Sequence, residues 1–275
     1  MKVFLDVDPQ LAESCQSAGR SVDGLEWASE SRNGVAVITD KISSPSGNNP
    51  TLFLGALSEL ADFSLNLDEL EGQLSVGSRR RFDPSVQSLF DGHREGQLGE
   101  LGVLRLHRWL GGATANASRK EDLLVHLDLA LWLYGEMPET IYAVSRESES
   151  VMQIHLGFSK NGMAILDCAW GLPEGGNYDS LHLIGDRGAA YSDDHRNVSL
   201  LYSGSDPRAL RVENEEAGLA TLLSQFISPE NKSKGSLASL TDILAAERVA
   251  SAVMRSSSSG RPSRRRGTEF VEGEI

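Results

Sequence analysis

A run of alternating elements between residues 74 and 135 constrains the fold of this chain more than any single residue does. It begins with a short apolar segment, LSVG, and passes through Arg-Arg-Phe into a segment with helical character. A Gly-x-Leu-Gly turn then leads into a long strand-like segment, and an amphipathic segment that contains His126 and Asp128 follows. Strand and helix patterns that alternate in this way predict an α/β fold.

The residues before this run alternate in the same manner. Val3–Asp6 is predicted to be a short strand, followed by a helix with Asp8 as its N-cap. Gly34–Thr39 has the continuous apolar character of a buried parallel strand. Thr51–Phe63 is predicted to be a helix and Leu74–Gly77 a strand. These elements are too few for a complete doubly wound domain, so residues 1–97 are expected to form an incomplete Rossmann-like part.

After residue 97 the pattern changes to strands joined by tight turns, which predicts a mostly antiparallel open sheet. The predicted strands are Leu101–Trp109, Thr140–Glu147, Met152–Phe158, Met163–Trp170, Ser180–Ile184 and Val198–Tyr202, with an Asn-Gly turn at Asn161-Gly162. The predicted helices are Asp122–Tyr134 and Leu237–Arg255. Residues 98–260 are therefore expected to form an α+β domain. Residues 261–275, which follow a run of four serines, are expected to be a flexible tail.

Composition excludes several classes of function. A net charge of −13 disfavours a nucleic-acid partner, because phosphates would be repelled. No apolar run reaches the ~18–20 residues of a membrane span, and the N-terminus lacks a signal core, so a cytoplasmic protein is expected. Cys15 and Cys168 form no disulfide or metal-binding pattern and are expected to be buried. His155 and His182 have no partner at metal-ligand spacing, so no metal site is predicted.

The order of motifs between residues 74 and 135 resembles the middle of the Gfo/Idh/MocA oxidoreductases, the family of glucose–fructose oxidoreductase and inositol dehydrogenase. Gly185–Gly188 looks like the glycine-flanked hairpin of that family, and the segment SLTDILAAERVASAVMRSSSSGRP looks like its closing helix. The resemblance implies NAD or NADP as cofactor and hydride transfer on a sugar, cyclitol or related polyol. It also implies that Arg80, in the Arg-Arg-Phe motif, helps to line the interdomain cleft.

The glycine loop that such an enzyme uses for its cofactor is absent. G-x-G-x-x-G needs two glycines separated by one residue, and no such pair occurs anywhere in the chain. The nearest substitute, between Gly96 and Gly102, precedes a strand rather than a helix. VFLDVDPQLAES looks like the second strand of a Rossmann domain, where Asp6 and Asp8 could imitate its acidic ribose ligand. Asp6, Asp8 and Arg80 are therefore the candidate cofactor contacts, at a site that is expected to be incomplete.

The family's Glu-Lys-Pro motif places a lysine between nicotinamide and substrate, where it can donate a proton. Asp40-Lys41-Ile42 keeps the acidic-lysine pair and makes Lys41 the candidate catalytic amine. In a second register, Leu5-Asp6-Val7 corresponds to the motif and no catalytic amine exists. Lys41 could equally be a solvated lysine at the end of a strand.

The family's Asp-x-Gly-x-His-x-x-Asp motif fits this chain in two registers, neither complete. Aligned on His126, the first aspartate is Asp122 and the glycine is replaced by Leu124. Aligned on Asp128, the histidine position holds Val125. His126 is the candidate general acid/base and Asp122 its orienting partner. The alternative is that His126 is a partly buried histidine, hydrogen-bonded among the helices.

Two classes of function follow from these patterns. One is an NAD(P)-dependent oxidoreductase that acts on a sugar or cyclitol, with activity made doubtful by the missing glycine loop. The other is a catalytically inactive relative that serves as a binding or assembly module. In either case the strands around Ile154 and Trp170 carry apolar residues on both faces. One face would cover the helices and the other would be exposed, which predicts a homodimer or higher oligomer through the sheet.

Overall fold

The computed structural model describes residues 1–41, 49–62, 74–112, 116–146, 150–194, 198–203, 206–210, 212, 214–228 and 237–273. The chain divides into two compact units that each contain two segments. Unit 1 comprises Met1–Pro84 and Glu213–Leu244, and unit 2 comprises Ser85–Val212 and Ala245–Ile275. Whereas the sequence patterns place a boundary near residue 97 and a continuous second domain, the chain returns to unit 1 over residues 213–244.

The elements of the described residues are as follows. The strands are β1 Lys2–Asp6, β2 Glu26–Trp27, β3 Ala36–Thr39, β4 Thr51–Phe53, β5 Leu74–Val76, β6 Leu101–Gly111, β7 Thr140–Ser145, β8 Val151–Gly157, β9 Met163–Leu172, β10 Tyr178–Gly185, β11 Gly188–Asp193, β12 Val198–Ser203, β13 Asp206–Ala209, β14 Ala238–Ser239, β15 Ser263–Arg266 and β16 Glu269–Glu272. The α-helices are α1 Pro9–Gly19, α2 Leu57–Asp62, α3 Pro84–Arg94, α4 Asn116–Tyr134, α5 Glu215–Ile227 and α6 Leu240–Ser259.

The sheet of unit 1 has the order β14-β5-β4-β3-β1-β2. Strands β1 to β5 are mutually parallel, and β14 pairs antiparallel with β5 at the edge. The chain moves from β1 to β2 on one side and then to β3 on the other, so the topological switch point of this doubly wound sheet lies between β1 and β3. The predicted α/β class is confirmed. The segment Val3–Asp6, expected as a second strand, instead occupies the central position that a first strand takes.

Helix α5 completes the core of unit 1. It contacts α1, and its buried residues Leu222, Leu223 and Phe226 belong to one apolar cluster with Val3 and Ile38. The sequence patterns did not predict this helix. The segment that was assigned to the second domain therefore contributes core residues to the first.

The predicted helix Thr51–Phe63 is wrong at its start. Thr51–Phe53 is β4, which pairs with Val37–Thr39 on one side and Leu74–Val76 on the other. All three of its residues are buried. A short, continuous apolar run in a central strand lacks the alternation of apolar and polar residues that would distinguish it from part of a helix. The helix begins only at Leu57, and Phe63 lies outside the described residues.

The sheet of unit 2 has ten strands in the order β13-β12-β11-β10-β6-β9-β8-β7-β15-β16. The described pairs are antiparallel except for β6 with β9. Alternate side chains of the central strands are buried, as Leu104 and Leu106 are on β6, and α4 contacts β9. The predicted mostly antiparallel sheet is confirmed.

The expected flexible tail at residues 261–275 is wrong for most of its length. Ser263–Arg266 and Glu269–Glu272 form an antiparallel hairpin, and Ser263 pairs with Ile141 of β7. The side chain of Phe270 is buried. The preceding serines belong to α6, and Ser256 Oγ donates a hydrogen bond to the carbonyl of Arg261 across 2.7 Å. Pairing with β7 and the burial of Phe270 therefore order a segment that its composition predicts to be a flexible tail.

Two predicted hairpins are confirmed, one of them with a shifted turn. The turn between β8 and β9 has positive φ at Lys160 (54°) and Asn161 (63°), whereas Gly162 has a φ of −65°. The left-handed residues are thus one position earlier than the Asn-Gly pair indicates. Gly185–Gly188 joins β10 to β11 as predicted. In the described part of the chain, no helix is long and apolar enough to cross a membrane.

Candidate functional site

Open α/β sheets bind their ligands at the edge formed by the carboxyl ends of their parallel strands. The unit 1 sheet has such an edge. The end of β1 places Asp6 there, and the residues after β3 place Lys41 beside it. Lys41 Nζ lies 3.1 Å from Asp6 Oδ1, and the lysine side chain is 63% exposed. This hydrogen bond and the charge of Asp6 raise the pKa of Lys41 above its usual value. The structure thus joins two of the predicted site residues, with Lys41 protonated and open to solvent.

Asp8 caps α1, as the sequence predicts. Its Oδ1 accepts the backbone N–H groups of Gln10 at 2.9 Å and Leu11 at 3.0 Å. These two bonds, that of Leu11 first, keep the pKa of Asp8 below its usual value of 3.8. The backbone N–H of Asp8 donates to Asp40 Oδ2 across 2.8 Å. The carboxylate of Asp8 therefore caps the N-terminus of α1. Its predicted contact with a cofactor ribose stays a prediction.

Arg80 lies in a short 3₁₀ turn, Arg79–Phe82, that follows β5. Its Nη1 lies 2.8 Å from Asp83 Oδ2. The neighbouring Arg81 is buried, and its Nη2 is 3.9 Å from Asp242 Oδ2. Both arginines of the Arg-Arg-Phe motif are thus paired with carboxylates of unit 1.

Asp122, the predicted orienting residue, joins three elements of unit 2. Its Oδ1 accepts a hydrogen bond from Arg108 Nε at 2.9 Å, and its Oδ2 accepts one from Trp170 Nε1 at 3.0 Å. Arg108 Nη1 also donates to Asp179 Oδ2 at 3.1 Å. Burial lowers the pKa of Arg108, but the two carboxylates more than offset this and leave it raised. The buried aspartate is thus held by an arginine of β6 and a tryptophan of β9.

His126, the predicted general acid/base, is only 2% exposed. Its Nδ1 donates a hydrogen bond to the backbone carbonyl of Asp122 across 2.6 Å and lies 3.8 Å from Asp122 Oδ1. The flanking Leu124 and Leu127 are fully buried on the same helix. Of the two interpretations of the sequence, the structure supports the buried histidine that is hydrogen-bonded within the helical layer.

One cluster was missed by the sequence patterns. On the face of the unit 2 sheet that carries His107 and Trp109, here called the outer face, His107 Nε2 lies 3.2 Å from Asp167 Oδ2 and Nδ1 lies 2.9 Å from Ser180 Oγ. The rings of His107 and His182 are 6.2 Å apart. The signal was present in the sequence, since alternate positions of β6 carry arginine, histidine and tryptophan, but cross-strand neighbours require the register to be known.

Trp170 does not belong to the outer face. It pairs with Leu110, whereas Trp109 pairs with Ala169, so the two tryptophans lie on opposite faces of the sheet. Trp170 is 3% exposed and Trp109 is 37% exposed. Trp109 therefore lies on the exposed face of the sheet, whereas Trp170 belongs to the core. Both cysteines are buried, as predicted, and no group of three possible metal ligands occurs among the described residues.

A dinucleotide, the cofactor that the resemblance implies, binds to free backbone N–H groups at a helix N-terminus, which glycines allow it to approach. The turn after β1 does not fit this requirement. The N–H groups of Gln10 and Leu11 donate to the carboxylate of Asp8, and Pro9 has no N–H. The turn also contains no glycine. The residues present therefore do not fit a pyrophosphate at this position.

Comparison of the sequence with protein-family models and with curated proteins finds no match. Comparison of the fold finds solved dehydrogenases over nearly the whole chain. A myo-inositol dehydrogenase from Corynebacterium glutamicum aligns with 100% of this chain and 98% of its own, with a TM-score of 0.69 and 13% identity. An oxidoreductase from Agrobacterium radiobacter in complex with NAD+, L-tartaric acid and magnesium aligns over 96% and 98%, with a TM-score of 0.67 and 15% identity.

A myo-inositol 2-dehydrogenase from Lactobacillus plantarum aligns over 96% of this chain and 99% of its own, with a TM-score of 0.63 and 12% identity. Identities this low show a shared fold and nothing finer. The fold of this chain is thus the two-unit α/β fold of these oxidoreductases.

Proposed function

We propose that this chain is a relative of the Gfo/Idh/MocA oxidoreductases that works as a homo-oligomeric binding or assembly module and not as an NAD(P)-dependent dehydrogenase. The match in fold and the order of motifs between residues 74 and 135 support the relationship. The observation that carries the loss of catalysis is the burial of His126, whose Nδ1 is occupied by the carbonyl of Asp122.

A general acid or base must come within hydrogen-bond reach of the proton that it moves. His126 is 2% exposed, and both oxygens of its predicted partner Asp122 accept hydrogen bonds from Arg108 and Trp170. Moving either side chain toward a substrate would break these bonds inside a packed layer. The pair is therefore better suited to holding α4 on the sheet than to proton transfer.

The outer face supplies the proposed assembly surface. Of the ten large hydrophobic side chains that are exposed among the described residues, eight lie on strands of the unit 2 sheet; they are Trp109, Tyr142, Val144, Val151, Met163, Ile184, Tyr202 and Val271. Large apolar side chains that gather on one face of a sheet are typical of an interaction surface. A second copy placed face to face would cover it in a closed, two-fold arrangement.

Two measurements test this proposal. Light scattering at micromolar concentration should give a mass of at least twice 29.8 kDa. Incubation with NAD+ or NADP+ and a panel of polyols, including myo-inositol, should produce no NADH or NADPH absorbance. A monomeric mass would refute the assembly, and turnover of any polyol would refute the loss of catalysis.

The second candidate is NAD(P)-dependent hydride transfer on a sugar or cyclitol. One observation favours it besides the fold: the protonated amine of Lys41 is exposed at the carboxyl edge of the parallel sheet, beside Asp6. In that case Lys41 would donate the proton and the polyol would be the small-molecule partner. Either function is proposed for the cytoplasm, and the two buried, unpaired cysteines suit a reducing compartment.

A further inference from the structure

The N-terminus of α1 lies where a doubly wound sheet normally binds phosphate. The helix follows β1 directly, and β1 borders the switch point between β1 and β3. Four N–H groups in the first turn of a helix have no partner within the helix, and their partial positive charge attracts an anion. The N–H groups at the start of α1 are therefore expected to contact an anion.

Every backbone N–H from Asp8 to Ala12 is accounted for by the chain itself. The N–H of Asp8 donates to Asp40 Oδ2. Pro9 has no N–H, and those of Gln10 and Leu11 both donate to Asp8 Oδ1. The N–H of Ala12 donates to the carbonyl of Asp8 across 2.9 Å. Within this stretch no donor is left to hold a phosphate oxygen.

We infer that the carboxylate of Asp8 is a built-in substitute for the phosphate group, so that α1 carries its own anion at the position where a dinucleotide would bind. Arg79 is the cation that acts on this turn, and its charge helps to keep the pKa of Asp8 low, which favours the ionised carboxylate. Two further carboxylates reinforce the substitution. Asp40 brings a second carboxylate to the same turn, and the amine of Lys41 is engaged by Asp6. An incoming pyrophosphate would therefore meet carboxylates and occupied donors.

This inference opposes the prediction that Asp8 binds a cofactor ribose, and the two make opposite predictions for one substitution. If Asp8 substitutes for phosphate, its removal frees two N–H groups and removes a negative charge, so anion binding is gained. If Asp8 is a ribose ligand, its removal weakens the binding of a dinucleotide. Glycine is the residue of choice for the test, because it is tolerated at an N-cap and leaves the turn open.

The experiment compares the full-length wild type with Asp8→Gly, Asp8→Asn and the control Glu13→Ala, which removes an exposed carboxylate from the same helix. Inorganic pyrophosphate and NADH are titrated by calorimetry, and circular dichroism reports folding. We expect no binding of either probe at millimolar concentration by the wild type or Glu13→Ala. Asp8→Gly should bind pyrophosphate at least tenfold more tightly than the wild type.

Asp8→Asn keeps a capping oxygen and removes only the charge, so it should gain less than Asp8→Gly; it also provides the comparison if the glycine variant does not fold. Micromolar binding of NADH by the wild type that Asp8→Gly weakens would overturn the inference. So would a folded Asp8→Gly that binds pyrophosphate no better than the wild type. Neither result depends on oligomeric mass or polyol turnover, which test the proposed function separately.

Discussion

The indole Nε1 of Trp170 donates a hydrogen bond to Oδ2 of Asp122 across 3.0 Å. Arg108 donates to the other oxygen of the same carboxylate, so one buried side chain on α4 ties together β6 and β9. These are the two strands that run parallel in an otherwise antiparallel sheet. The aspartate thus stabilises the sheet where its strand direction departs from the rest.

Asp122→Ala should therefore destabilise the protein. It leaves the indole N–H of Trp170 and the Nε of Arg108 without their acceptor in a largely buried layer, although Arg108 keeps its bond to Asp179. The expected cost is about 1–3 kcal/mol in the free energy of unfolding. Asp91→Ala is the matched control, since it removes an exposed partner of Arg94 and should cost about 0–1 kcal/mol. Urea unfolding monitored by circular dichroism measures both. Equal stabilities of the two variants would contradict a structural role for Asp122.

Substitution of the two sheet tryptophans should separate assembly from folding. Trp109→Glu places a charge on the exposed outer face, so the oligomer should dissociate toward a mass of 29.8 kDa with an unchanged circular dichroism spectrum. Trp170→Glu places a charge in the buried face and should unfold the protein instead. Light scattering and thermal melts distinguish the results. An intact oligomer in folded Trp109→Glu would show that copies associate through another surface.

Stability should fall as the pH drops below about 6.5. Burial lowers the folded-state pKa of His107 and His182 below the usual value of 6.5, and Asp167 only partly opposes this for His107. The unfolded chain therefore takes up protons more readily, so the stability from neutral imidazoles is complete above pH 6.5 and is lost as the pH falls toward the folded pKa values. Arg105 and the neighbouring ring add repulsion to His182 once it is charged.

Melting temperatures between pH 8 and pH 5 test this expectation. The double variant His107→Gln and His182→Gln should show a smaller loss over this range than the wild type. His155→Gln, on strand β8 of the same sheet, is the control and should behave as the wild type does. A pH dependence that is the same in the double variant would remove these two histidines as its cause.

If the catalytic alternative holds, Lys41→Ala should lower turnover by about 10²-fold, the usual scale of lost acid–base assistance. The side chain is exposed, so the melting temperature should stay at the wild-type value. Lys2→Ala, which removes a second exposed lysine beside a carboxylate at Glu26, is the control. His126→Ala should lower the melting temperature as well, because His126 is buried. Turnover that survives both changes would exclude Lys41 and His126 from the mechanism.

The elements that were predicted well are those whose pattern is local. In strands such as Val151–Gly157, buried and more exposed side chains alternate, and Asp8-Pro9 marks the start of α1 through capping chemistry that involves only neighbours. β4 could not be recognised as a strand, because its short apolar run is defined as a strand only by its pairing with β3 and β5. Helix α5 could have been found, since Asn214 caps it and Glu215 and Glu216 open its first turn.

The candidate site was also predictable in part, at the residues whose positions follow from a local pattern. Asp6 and Lys41 follow strands that the sequence identifies, and parallel strands bring their carboxyl ends together. The bonds that Asp122 makes to Arg108 and Trp170 span 14 and 48 residues. No local pattern encodes such pairs, because they depend on sheet register. The burial of His126 likewise depends on which face of α4 meets the sheet.

The return of residues 213–244 to unit 1 sets an order of events during synthesis. The helix that closes the unit 1 core, with Leu222 and Phe226, is translated only after most of unit 2. The apolar surface around Val3 and Ile38 therefore stays uncovered in the nascent chain while β6 to β13, the first eight strands of the unit 2 sheet, are being synthesised. A ribosome that stops before residue 213 would release a chain whose first unit lacks its last structural layer, and such a product would be a ready substrate for chaperones and proteases.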